Sequence, residues 1–364
     1  MKLHRLPAVF MRGGTSKALV FRSEDLPDDR AQWDAIFLAA MGVPDPYGRN
    51  LDGMGGGLSS LIKVCVVGPP SRGDADVDYT FVQLTPDSAT VDYGGNCGNM
   101  SSAIGPFALE EGLVSAPEGS EAVVRIHNTN TGKIIVARFP VEGGQLAADG
   151  AFELDGVSGT AAPIRLEFLE PGGAKTGKLL PTGNVIDVIE GVEASLVDAA
   201  NPGVFIRAGD VGKTGAELPE ELEVDAEWLA RMETIRLAGA DAMGLSRTAS
   251  VPKVAMVCPP QPARLLTGQM LETGAHDIAI RMISVEQPHR AVPITGGICL
   301  AVAARIAGTI PAEVCSAGQG PIRIGHASGT TQVDASVVDG HAVHGAVYRS
   351  ARRLMEGQVV YRQP

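Results

Sequence analysis

Two apolar helices, one in each half of the chain and each opened by a glycine turn, restrict what this sequence can fold into. The runs Met100 to Leu109 and Ile298 to Ile306 follow Gly94-Gly95-Asn96-Cys97-Gly98-Asn99 and Thr295-Gly296-Gly297, and the segments around them read as short strands. The first half has strands at Val9 to Met11 and Ala18 to Phe21, and a helix predicted from Ser23 through about Met41. The Gly53 to Gly57 loop then delivers a strand from Leu61 to Val67. Further strands run Val77 to Leu84 and Thr90 to Tyr93, with a hairpin of Val123 to Asn128 and Lys133 to Pro140 and a strand Ile164 to Phe168. The second half repeats this grammar, with strands near Ile186, Ala194, Val204, Val254, Ile278, Pro321 and Thr331 and an amphipathic helix from about Ala226 to Ala238. The pattern predicts a duplicated α/β (α+β) architecture whose two helix N-termini face one another across a cleft. Glu170-Pro171-Gly172-Gly173 and Pro181-Thr182-Gly183-Asn184 place the boundary between residues 1–183 and 184–364, with the last segment able to return to the first domain.

The 364 residues suit two domains. Aromatics are only 4% of them, so Val, Ile, Leu and Ala must build the cores, and the 45 glycines and 24 prolines are spread along the chain as turns. A net charge of -12 without a basic run argues against nucleic acid as a partner. Five cysteines without a CxxC spacing fit reduced thiols in a cytoplasm. The start lacks an apolar signal core and no 18 apolar residues run together, so neither secretion nor membrane association is expected.

Cys97 is the first residue with chemical promise. Its glycines let the backbone turn sharply and approach a ligand, and the N-terminus of the following helix favours a thiolate and attracts carboxylates. A lone cysteine is more often a small core residue; the Gly/Asn surroundings reverse that preference here. Lys63 is the second, a cation in an otherwise apolar strand. Desolvation there disfavours the ammonium form and would make a general base of it, while an edge-strand lysine reaching water is the equal alternative. Thr15 and Ser16, after two glycines, form either an anion-binding nest or an ordinary turn. His326-Ala327-Ser328-Gly329 offers an imidazole and a hydroxyl in a turn, although a lone histidine there is more often structural. His289 beside Arg290 is a further candidate for carboxylate contact. Asp74, Asp76 and Asp78 lack the spacing of a calcium loop and read as a solvated strand edge, so no metal site is expected. No phosphate-binding glycine motif is present.

Taken together, Met11-Arg12-Gly13-Gly14-Thr15-Ser16-Lys17, Asp52-Gly53-Met54-Gly55-Gly56, Lys63 and Asn96-Cys97-Gly98-Asn99 with Gly105-Pro106-Phe107-Ala108 resemble the PrpF family. Pro181 to Asn184, Asn201-Pro202, His326 to Gly329 and Arg349 to Gly357 extend the resemblance along the whole chain. It implies a diaminopimelate epimerase-like fold, two pseudo-symmetric domains that each wrap a mostly antiparallel sheet around a central helix, with the active site between them. It also implies cofactor-independent isomerisation of 2-methylaconitate, 3-methylitaconate or 4-oxalomesaconate. The implied catalytic pair falls on Lys63 and Cys97. Carboxylate binding falls on Ser16, on Asn96, Gly98 and Asn99 of the Cys97 turn, on Thr295 and Gly296, and on His326, Ser328 and Gly329. Relatives commonly place Thr-Ser before the lysine, where this chain has Leu61-Ile62, and His-Pro-Ser-Gly where it has His326-Ala327-Ser328-Gly329. Epimerases of the superfamily carry a second thiol near Ile294 or Thr295, and its absence disfavours two-thiol racemisation.

The expected activity is therefore a cis-trans or allylic isomerase acting on an unsaturated carboxylate, with a place in propionate catabolism. An amino-acid epimerase and a non-catalytic carboxylate-binding accessory protein of a methylcitrate-route dehydratase are the rivals. Oligomeric state is open, a homodimer included.

Overall fold

The computed structural model describes residues 2–248, 251–284 and 287–363. Their contacts fall into two units, Met1–Glu167 with Tyr348–Pro364, and Phe168–Val347. The division lies at Glu167 and Phe168 rather than at 183 and 184. The Pro/Gly-rich segment read as a boundary is tied into the second unit instead: Gly173 N–H donates to Asp198 O (2.7 Å) and Asp198 N–H to Leu179 O (2.9 Å).

In the first unit β1 (Lys2–Gly13) pairs antiparallel with β2 (Ser16–Arg22), and β2 runs parallel to β3 (Lys63–Gly68). β3 is antiparallel to β4 (Val77–Thr85), which is extended by β5 (Ser88–Asp92). β4 then lies parallel to β6 (Glu121–Asn128), and β6 forms the expected hairpin with β7 (Lys133–Glu142). The C-terminal strand Ala351–Gln363 closes the other flank, pairing with β1 along its length.

α1 (Trp33–Met41) covers one face of this sheet, setting Trp33, Ile36, Phe37 and Ala40 against Leu19, Phe21, Val64 and Val66. It is shorter than the predicted helix. Pro27 interrupts the segment, so Ser23–Asp25 and Arg30–Gln32 form separate 3-10 turns before it. On the other side α2 (Gly98–Glu110) packs against β1, β2, β3, β6 and β7 and is buried from Met100 to Leu109, as a helix apolar all round must be.

The second unit has the same order of pairings. Val192–Ala199 is antiparallel to Asn201–Arg207, which runs parallel to Lys253–Cys258. That strand is antiparallel to Ile278–Ser284, which runs parallel to Ile322–His326, and the last is antiparallel to Gly329–Val338. After the short α3 (Pro219–Glu223), α4 (Ala226–Ala242) buries Trp228, Met232, Ile235 and Gly239 at helical spacing on one face. α5 (Ile294–Ala304) is buried from Gly296 to Ala303. Both units therefore read strand, strand, helix, strand, strand, buried helix, strand, strand. Among the described residues no helix is long and apolar enough to cross a membrane.

Candidate active site

The parallel pairing of β2 and β3 sets Ala18 beside Lys63, so the starts of both strands lie at the same end of the first unit's sheet. The β1–β2 hairpin tip rests directly on the first turn of α2. A Cβ at Gly13 would meet Asn99 O at 2.7 Å and Met100 Cα at 3.0 Å, and one at Gly14 would lie 2.3 Å from Asn99 Oδ1. Gly14 also has φ +53°, a left-handed conformation that glycine adopts without strain. Asn99 Nδ2 donates to Thr15 Oγ1 (3.1 Å), which fastens the exposed Thr15 to the helix, while Ser16 is buried at the first position of β2.

Lys63 is the first residue of β3 and only 7% exposed. The strand begins there and not at Leu61, because Ser59–Leu61 form a 3-10 turn. Its Nζ lies 5.3 Å from the centroid of the Phe81 ring and donates to Gln83 Oε1. Gln83 is a residue that sequence reasoning did not single out. Its carboxamide is oriented from behind, since Nε2 donates to Ser59 O (3.0 Å) and Leu84 O (2.8 Å), leaving Oε1 for the amine. β4 is pinned at Phe81 as well. Asn130 in the β6–β7 hairpin accepts from Phe81 N–H (2.8 Å) and donates to Phe81 O (2.9 Å) and Tyr93 O (2.7 Å).

Cys97 is the N-cap of α2 and gives the helix no side-chain cap, so first-turn N–H groups remain available to a ligand. Asn96 Oδ1 accepts from Ser101 Oγ (3.2 Å) and steadies the turn. Cys65 lies two residues after Lys63, on the same face of β3. Burial pushes its thiol up, and its Sγ donates to Tyr79 Oη (3.8 Å). Lys63 and Cys97 are linked through β2: Lys63 lies beside Ala18 in the β2–β3 pairing, and the β1–β2 turn rests on the first turn of α2, which Cys97 caps. Arg349, which the sequence offered only as part of a terminal run, is there too: it is 8% exposed and its Nε donates to Asn99 Oδ1 (3.3 Å). Burial lowers its guanidinium to about 10, against an opposing effect of Cys97.

The remaining candidates lie in the second unit. Thr295 and Gly296 are in the first turn of α5, whose N-cap, Pro293, supplies no side-chain cap. His326 is buried and both its ring nitrogens are engaged, Nδ1 accepting from Ser328 N–H (3.2 Å) and Nε2 lying 2.9 Å from Thr331 Oγ1. His326 and Gly329 are paired across the hairpin, and Ser328 Oγ donates to Arg290 O (2.7 Å), tying this turn to the segment before α5. His289 Nδ1 is likewise occupied by its own turn, 2.9 Å from Ala291 O and 3.0 Å from Ala291 N. Cys299 lies deep in α5, donates to Val197 O (3.3 Å), and is pushed up to about 12 by burial.

Two glycine- and aspartate-rich motifs have structural work. A Cβ at Gly53 would meet Gly42 N at 2.1 Å, so that loop packs on the end of α1. Asp74, Asp76 and Asp78 pair with Arg72 (2.7 Å), Arg125 (2.7 Å) and His127 (2.9 Å). Among the described residues no group of three or more His, Cys, Asp or Glu could hold a metal ion.

Residues 3–362 match the model of the PrpF family, described as PrpF protein. The chain is 39% identical to 3-methylitaconate isomerase of Eubacterium barkeri, with 98% of this chain and 97% of that protein covered. It is 38% identical to 2-methyl-aconitate isomerase of Shewanella oneidensis (99% and 98% covered). Identity is 40% to (4E)-oxalomesaconate Delta-isomerase of Novosphingobium sp. (97% and 96% covered). Its fold is that of a crystal structure of methylitaconate-delta-isomerase, with a TM-score of 0.94, 39% identity and 99% and 96% of the two chains covered.

Proposed function

We propose, from the premise that the chain belongs to the PrpF family and is an isomerase of that family, that it moves or rotates a carbon-carbon double bond of an unsaturated di- or tricarboxylate. Lys63 is the base of this reading, and the observation that supports it is the buried amine, held by Gln83, at the start of the strand beside β2, whose turn rests on the open end of α2 at Cys97. Acting in its uncharged form, the amine takes a proton from the carbon next to the double bond, where conjugation to a carboxylate makes the C–H acidic. The C–H electron pair enters the conjugated system, and negative charge builds on carboxylate oxygens of a dienolate. First-turn N–H groups of α2, which no side chain caps, receive that charge in this reading, each such donor being worth about 3 kcal/mol of barrier in comparable sites. The proton returns from the Lys63 ammonium, or from the Cys97 thiol, whose thiolate then takes the proton that Lys63 holds, so that both groups end as they began. Return to the far carbon shifts the double bond; return to the original carbon after rotation changes its geometry.

A 2-methylaconitate-like acid undergoing cis-trans isomerisation is the first assignment, with methylitaconate and oxalomesaconate as alternatives that use the same steps. Incubating the purified protein with the three acids and following vinyl and methyl protons by NMR tests this. Conversion of one acid well ahead of the others names the substrate, and conversion of none contradicts the assignment.

A further inference from the structure

Charged side chains are rarely buried without an opposite charge, because desolvation of the ion is offset only by pairing or by a full set of hydrogen bonds. The half-buried arginine at the C-terminal end of α2 obeys this. Arg353 is held by Glu110 (2.7 Å) and Glu111 (2.9 Å) on the last turn of the helix. Arg349 departs from it at the opposite end. Among the described residues its guanidinium pairs with no carboxylate; Nε donates to Asn99 Oδ1 and Nη1 to the neighbouring Tyr348 O (2.7 Å), and Nη2 meets no protein acceptor. The neighbouring half-buried Arg12 also lacks an acidic partner there, spending Nη1 on Gly14 O (2.9 Å), Ser350 O (2.9 Å) and Ser350 Oγ (3.2 Å). In a chain of net charge -12, an interior cation without a counter-ion beside an uncapped helix N-terminus points to an anion supplied from outside.

We propose that Arg349 is the cation that receives one carboxylate of the substrate beside Cys97, with Asn99 holding the guanidinium in position. Asn99 is itself fixed on its other side by Thr15, so the fork of the arginine is presented rigidly, and its free donors suit the two oxygens of a carboxylate. The inference rests on the isomerase reading for the identity of the anion, and it adds a binding role at a residue 250 positions away from Asn99 in the chain.

The test is calorimetric titration of the full-length protein with trans-aconitate, a tricarboxylate probe, for the wild type, Arg349→Gln and Arg349→Lys, each checked for an unchanged melting temperature. Removing a charged hydrogen-bonding partner is expected to weaken binding by about tenfold to a hundredfold in Arg349→Gln. Arg349→Lys, which keeps the charge and loses the fork, is expected to fall between it and the wild type. The trimethyl ester of the same acid should bind none of the three proteins measurably. Equal affinity of Arg349→Gln and wild type overturns the proposal, as does a wild type that does not bind trans-aconitate; should Arg349→Gln fail to fold, wild-type affinity in Arg349→Lys overturns it instead. Arg349-dependent binding with no isomerisation of any acid would strike the isomerase reading alone, and isomerisation with unchanged affinity in Arg349→Gln would strike Arg349 alone.

Discussion

At the scale of single residues, the chemistry turns on how the buried Lys63 amine is held. Gln83 accepts from Lys63 through Oε1 while its own Nε2 is spent on backbone carbonyls, so the carboxamide cannot flip without losing those bonds. Replacing it by glutamate sets a carboxylate against the amine, which favours the ammonium form. The acid limb of the pH-rate profile of Gln83→Glu should therefore move up by about one unit or more, whereas Gln83→Leu should lower kcat more than it raises KM. An unmoved profile in Gln83→Glu would remove Gln83 from the account. Neither Gln83 nor Arg349 was legible in the sequence. A glutamine reaches Lys63 only through the register of β3 and β4, and an arginine reaches Asn99 only because the chain's end returns to the first unit. Cys97 and Lys63 could be singled out because a glycine cage and a lone cation in an apolar strand are local patterns.

At the scale of elements, the site is a meeting of strand starts with a helix start. The β1–β2 turn lies so close to α2 that Gly14 leaves no room for a side chain. Gly14→Ala is expected to cost about 1–3 kcal/mol of stability through its positive φ and to displace Asn99, with a larger loss of activity than the stability change explains. Chemical denaturation together with NMR turnover would show this, and full activity in a destabilised Gly14→Ala would separate the turn from the chemistry. The duplicated order of elements also sets Lys253 at the first position of the second unit's third strand, as Lys63 opens β3, and Pro293 at the N-cap of α5, as Cys97 is for α2. The duplication retains a lysine and loses the thiol. This order was foreshadowed by the two apolar helices, since a fully apolar helix carries its burial in its composition. The helix expected from Ser23 begins only at Trp33, because the apolar periodicity continues through Pro27 where the helical backbone cannot.

At the scale of the whole chain, stability should carry the mark of buried imidazoles. His276 is 1% exposed and its Nδ1 is a buried atom without a hydrogen-bond partner among the described residues. Burial lowers its affinity for a proton, with the Glu272 backbone and Asp277 opposing the effect and Arg323 and Arg281 adding to it; burial acts the same way on the half-buried His289. Because their folded-state values lie below the unfolded value of about 6.5, the unfolded chain binds more protons below that pH. The stability they contribute is present above pH ~6.5 and is lost as the pH falls through and below it. Urea midpoints should drop between pH 7.5 and 5.5, above the range in which carboxylates titrate, and His276→Gln should flatten the drop; a midpoint constant across that window would contradict this. The Pro/Gly-rich stretch misled the placing of the boundary because turn residues mark loops inside a domain as readily as links between domains, and only long-range pairing, such as that of the C-terminal strand with β1, tells them apart.

The most direct test of the account is hydrogen exchange at the carbon beside the double bond, followed by NMR in heavy water with the acid that the wild type converts. Wild-type protein should introduce deuterium there as the double bond moves or rotates, and a folded Lys63→Ala that still binds trans-aconitate should lose both exchange and isomerisation by several orders of magnitude. Deuterium entering at the wild-type rate in Lys63→Ala would show that another group takes the proton.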